Sequence, residues 1–121
     1  MSGKNILADS NVLINFLNGE HKNLKIFSDN IIFISVITKI ELLSAPLNEE
    51  ELLKIKNFLE NNFNLIFIDE TIAEKSAYLR RQFKLKTPDA IISATAIENK
   101  FEFLTEDIEL VKKLGKEINF I

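Results

Sequence analysis

Four carboxylates stand where chemistry would be done. Asp9 ends the apolar run Ile6-Leu7-Ala8, and Asp107 follows a second such run in Leu104-Thr105-Glu106-Asp107. Glu41 lies between Ile40 and Leu42 in the stretch VITKIELLSA, and Asp89 heads PDAIISATAI just after Thr87. Each has a plain structural explanation. Asp9 and Asp107 suit helix N-caps, and Asp89, with Thr87 and Pro88 as N-cap and first helical residue, sits where the helix dipole favours an anion. Glu41 resists that treatment: with Ser35 as cap it falls one to two turns inside its helix, so only an ion pair with a neighbouring base would account for it. If all four meet, each pair at about 6 Å repels by roughly 3 kcal/mol at an effective dielectric of 20. Either protons are retained or a divalent cation sits among them.

The missing ligand types narrow the cation. The chain has no cysteine, and its one histidine, His21, lies in the polar stretch Asn18-Gly19-Glu20-His21-Lys22. Oxygen ligands remain, and these suit hard Mg²⁺ or Mn²⁺ and chemistry on phosphate esters, where the ion activates water and stabilises the leaving oxygen. With three glycines and no Gly-rich phosphate loop, a nucleoside triphosphate enzyme is not indicated.

Short apolar runs recur at residues 6–8, 31–34, 65–68, 101–104 and 118–121, each β-branched or aromatic enough for a strand, with longer helical patterns between them. Residues 48–62 and 70–85 are amphipathic and read as surface helices over a core. Residues 36–45 and 88–97 are apolar almost all round and read as buried helices. Alternation of this kind predicts an α/β fold, a three-layer α/β/α sandwich around a mostly parallel five-stranded sheet. Parallel sheets bind ligands at the carboxyl ends of their strands, which is where Asp9 and Asp107 fall.

At 121 residues, 46% hydrophobic and 27% charged, the chain reads as a single globular domain, 1–121. It is large enough to hide roughly two thirds of its unfolded surface without disulfides. No run approaches a membrane span and no secretory signal is evident, so a cytoplasmic protein is expected. The net charge of −3 argues against a simple nucleic-acid coat, though not against an enzyme that meets nucleic acid through a metal.

The four acidic segments, in order and spacing, resemble those of the PIN-domain ribonucleases, and within them the small toxins of VapC type. Ala8-Asp9-Ser10-Asn11-Val12-Leu13-Ile14 is similar to the family's D-[ST]-N-x-L-I element, and Ser35-Val36-Ile37-Thr38-Lys39-Ile40-Glu41-Leu42 to its S-x-x-[TS]-x-x-E-L element. The stretch 87–96 resembles P-x-D-A-x-I-A-A-T-A, and Leu104-Thr105-Glu106-Asp107 resembles L-[TV]-x-[DN]. The resemblance spans nearly the whole chain. It implies strand order 3-2-1-4-5 and Mg²⁺- or Mn²⁺-dependent RNA hydrolysis. It also implies Asp9, Glu41, Asp89 and Asp107 as the acidic metal-site and catalytic residues, with Ser10 and Asn11 in support. Homodimers and an inhibitory antitoxin protein are further implications. Two departures stand out: Glu106 occupies a position often basic in the family, and no glycine follows Glu41 closely.

Arg80, Arg81, Lys84 and Lys86 gather just before Asp89 and are candidate RNA-phosphate contacts, although cations are also favoured at a helix C-terminus. Two other readings remain at this stage. A phosphoacceptor receiver domain has similar size and acidic strand ends, but it wants paired acids at the end of its first strand, where this chain has Leu7-Ala8 before Asp9, and a lysine after its fifth, where this chain has none. A PIN-type fold acting only as a binding module is the other.

Overall fold

Side-chain alternation in the first strand decides the layers. The computed structural model describes residues 3–121, and in β1 (Asn5–Ala8) Ile6 and Ala8 enter one hydrophobic cluster while Leu7 enters another. That is the period of two expected of a strand covered on both faces. β1 pairs in parallel with β2 (Ile31–Ser35) and β4 (Glu102–Leu104), and β2 pairs in parallel with β3 (Asn64–Ile66). The order is β3-β2-β1-β4.

On the Leu7 face pack α5 (Glu70–Phe83), α6 (Thr87–Asn99) and α7 (Ile108–Leu114), through Ile72, Leu79, Ala90, Ile92, Leu110 and Leu114. Across the sheet lie α1 (Ser10–Leu17), α2 (Leu24–Asp29) and α4 (Glu49–Asn62), joined to the core through Val12, Leu13, Phe27 and Leu59. The three-layer parallel sandwich is therefore as expected. α4 begins with a capping box, Asn48 accepting from the Glu51 N–H while the Glu51 carboxylate accepts from the Asn48 N–H.

Three sequence expectations need correction. The fifth strand shrinks to one parallel bridge between Phe120 and Phe103. The turn closing α7 ties Glu117 and Ile118 to the Leu114 carbonyl, so ladder bonds begin only at Asn119 and Ile121. The third strand stops at Ile66, paired with Ser35 where β2 gives way to a helix, and this leaves Phe67 and Ile68 exposed.

Helix α3 (Val36–Leu43) is the third correction, because it is not buried throughout: only Thr38 and Leu42 are, and Ile40 is 55% exposed. It lies across the end of the sheet, with Leu42 in one cluster and Ile37 against the other, so its apolar residues are spread around it to serve both layers. α6, by contrast, buries Ala90, Ile92, Ser93, Ala94, Thr95 and Ala96 as its composition suggests.

Leu79 is fully buried in the helix that leads into the Lys84–Lys86 turn. Leu79→Ala should cost about 2–5 kcal/mol, seen as a lower denaturant midpoint with an unchanged slope.

Candidate active site

Strand register brings distant residues to one rim. Leu7 pairs with Phe33 and Phe103, and Ala8 with Leu104; continued to the strand ends, this sets Asp9 beside Ser35 on one side and Thr105 on the other. The Asp9 N–H donates to the Leu104 carbonyl at 2.9 Å, which extends the ladder to the rim itself.

Asp9 is only 6% exposed. Its Oδ1 accepts from the Ser10 N–H at 2.8 Å, and its Oδ2 from the Thr105 hydroxyl at 2.7 Å and the Asn11 amide at 3.4 Å. Asn11 also accepts from the Glu106 N–H at 3.2 Å, fastening α1 to the loop after β4. Asp9 is thus a helix N-cap and the centre of a rim network at once.

Glu41 joins through Ser10, whose hydroxyl donates to Glu41 Oε1 at 2.6 Å and lies 2.9 Å from the buried Thr38 hydroxyl. Glu41 itself is exposed, and no basic side chain is bonded to it among the described residues. Asp107 caps α7, accepting from the Leu110 N–H at 3.1 Å, while its own N–H donates to Thr105 Oγ1 at 3.1 Å. Asp89 is half-buried in the first turn of α6, which starts at Thr87 with Lys86 as N-cap, one residue earlier than expected.

A groove of about 330 Å³ has Asp89 and Asp107 in its lining, with Lys84, Lys86 and Lys113 among its other walls. Lys84 and Leu85 also border the neighbouring hollow of Arg80 and Arg81. Lys84 ends α5 in the left-handed conformation, and across that sharp turn Arg80 Nε donates to the Leu85 carbonyl at 3.2 Å.

Burial pushes the Asp9 carboxyl up from 3.8 to about 6; the Thr105 and Ser10 hydrogen bonds oppose this, and the charges of Asp89 and Glu41 add to it. Asp89 is raised as well, first by burial, then by Asp107 and Glu41, with Lys86 and Lys113 acting against the rise. Asp9, Glu41, Asp89 and Asp107 therefore form one chain of like-charge couplings. Glu106 stands apart from it. Lys22 binds its carboxylate at 2.9 Å and holds the acid below its usual range, so the departure at this position is neutralised locally.

Among the described residues no three His, Asp or Glu side chains form a ready-made metal cage. The donor chemistry nonetheless fits a hard cation, since Mg²⁺ is usually held by one or two carboxylates and keeps several waters. Repelling, oxygen-only donors around a half-buried rim are what such an ion would relieve. Thr38 and Thr105 are supporting residues that stand at specified motif positions but were given no role from the sequence. Thr105 occupies the [TV] position of L-[TV]-x-[DN], and the pairing of β4 with β1 gives it its role.

Fold and rim together define an open parallel α/β protein with a set of carboxylates at its strand ends. A PIN domain model matches residues 6–116, and the chain belongs to the PIN domain family. Among solved structures, it resembles a toxin-antitoxin complex from Klebsiella pneumoniae at 30% identity and TM-score 0.82, over 96% of this chain and 95% of that one. VapBC-1 from nontypeable Haemophilus influenzae shares the fold at 15% identity and TM-score 0.83, with 97% and 96% covered. DNA-bound VapBC from Salmonella typhimurium does so at 18% and 0.79, with 100% and 98% covered. No match was found among curated protein sequences. The receiver expectation falls with the family assignment.

The Asp9 shift carries a stability signature. The native state holds this proton more tightly than the unfolded chain, so metal-free stability should rise as pH falls through about 6 and level off below about 4. Full ionisation costs on the order of 3 kcal/mol. In thermal denaturation with chelator, wild type should therefore gain Tm toward acid pH, and Asp9→Asn should lose most of that gain while exceeding wild type near pH 8. Thr105→Val removes a hydrogen bond that favours the carboxylate, and should move the transition to higher pH. A pH-independent wild-type Tm over this range would contradict the assignment.

Proposed function

We propose that this PIN protein, acting as a single domain, is a divalent-metal-dependent endoribonuclease and the toxin of a toxin-antitoxin pair. The observation that carries the reading is the nearly buried Asp9 at the end of the central strand, coupled to Glu41 and Asp89 with no cation bonded to any of them among the described residues. In this reading Asp9, Glu41, Asp89 and Asp107 hold Mg²⁺ or Mn²⁺. A bound ion there supplies charge neutralisation and an activated water at a phosphodiester.

The chain's own residues orient and exclude. Ser10, Asn11 and Thr105 fix both Asp9 oxygens, and Ser10 also fixes Glu41. Leu110 N–H holds Asp107. Lys84, Lys86, Arg80 and Arg81 lie beside this acidic rim and suit the guidance of RNA phosphates toward it.

The relative at 30% identity was solved as a toxin-antitoxin complex, and this supports an antitoxin partner here. Exposed apolar side chains support protein partners too. Ile14, Leu17, Leu24 and Leu53 lie on helices of one face, and Ile40, Phe67 and Tyr78 on other surfaces, where an antitoxin or a second copy of the chain could pack. Among the described residues no helix is long and apolar enough to cross a membrane, and a cytoplasmic setting suits an enzyme that meets cellular RNA.

Purified protein should cleave RNA with Mg²⁺ or Mn²⁺ and stop with chelator. Asp9→Asn and Asp89→Asn should each lower kcat at least about a hundredfold without unfolding the protein. Undiminished cleavage in either variant, or in chelator, would contradict the mechanism. RNA binding without turnover under either metal would instead favour the silent binding module.

A further inference from the structure

We propose that Lys113 on α7, with Lys86 at the head of α6, forms a clamp for the RNA phosphate next to the one being cleaved. This deepens the ribonuclease reading and rests on it. The two lysines belong to different segments, 84–89 and 107–113, yet line the same groove as Asp89 and Asp107. Both are exposed side chains near enough to oppose the upward shift of the Asp89 carboxyl, and both border the groove that Asp89 lines.

The electrostatic need is specific. The phosphate under attack would be neutralised by the metal, but its neighbours on the strand would enter beside the same carboxylates and be repelled by them. In a chain of net charge −3, only cations placed at the groove can offset that. Of the ion pairs among the described residues, none involves Lys84, Lys86 or Lys113. These cations stay uncommitted while carboxylates stand near them.

The neighbour Lys112 supplies the contrast. It is adjacent in sequence and on the same last turn of α7, and it pairs with Glu109 at 3.6 Å and does not line the groove. Any benefit of a cation to the helix dipole would be shared by Lys112 and Lys113. A phosphate contact would belong to Lys113 alone.

The probe is a labelled single-stranded RNA about 12 nucleotides long, bound to the full chain in chelator so that no cleavage occurs. Each phosphate contact to a single strand contributes about 0.7 to the slope of log K against log salt. Lys113→Gln and Lys86→Gln should each lower that slope by about 0.7, and the double variant by about 1.4. Lys112→Gln should keep the wild-type slope, and Lys113→Arg should restore it. With Mg²⁺ present, the loss in Lys113→Gln should fall on KM, roughly threefold to tenfold, and not on kcat. Melting temperatures of Lys112→Gln and Lys113→Gln should agree. If wild type binds and cleaves while Lys113→Gln keeps the slope and KM of Lys112→Gln, the clamp is wrong and the ribonuclease reading stands. If wild type neither binds nor cleaves RNA, both fall together.

Discussion

A carboxylate nearly out of water at the end of the central strand governs this molecule. Asp9 cannot be moved toward solvent, because its own N–H belongs to the β1–β4 ladder and both its oxygens are hydrogen-bonded. Its charge is opposed by burial and by two neighbouring acids. The fold thus holds an ion in an unfavourable place, and does so by several bonds drawn from two distant parts of the chain, residues 10–11 and 104–105. Positions held against electrostatic preference in this way mark functional sites more often than structural ones.

The bonds around Asp9 also explain what assembles the rim. Asn11 and Thr105 tie α1 to the loop after β4, Ser10 and Thr38 tie α1 to α3, and Asp107 is fixed by capping α7. Local roles and site roles coincide. Asp9 and Asp107 cap helices and belong to the acidic rim at once, so a capping assignment does not argue against a site residue. Glu106 shows the opposite case: beside Asp107 in sequence, it is drawn to Lys22 and leaves the acidic set.

The same groove places unpaired lysines next to unpaired acids. Direct ion pairing would quench both sets. In the proposed reading, kept apart but near, they would leave one region of the rim for a cation and an adjoining one for phosphate, although the chain as a whole is acidic. Net charge therefore says little about such a surface; the distribution over a few ångströms decides.

Much of this was legible in the amino-acid order. The short apolar runs and the long helical stretches between them pointed to a parallel three-layer sandwich, since parallel neighbours need crossover connections. The spacing of Asp9, Glu41, Asp89 and Asp107 marked the rim for the same reason. Other features depended on contacts that no local pattern carries. The apolar composition of α3 looked like burial but reflects a helix serving two layers with one side open. α2, six residues without a side-chain cap or a buried residue, left too little periodicity to read. The last strand was lost to the turn ending α7, and Thr105 became a partner of Asp9 only through the register of two strands almost a hundred residues apart. Sequence by itself determined which residues are charged, which are apolar, and which elements alternate, because these follow from side-chain chemistry and backbone period. Tertiary structure decided which charges face one another and which stay dry, because both depend on distances set by the whole packed chain.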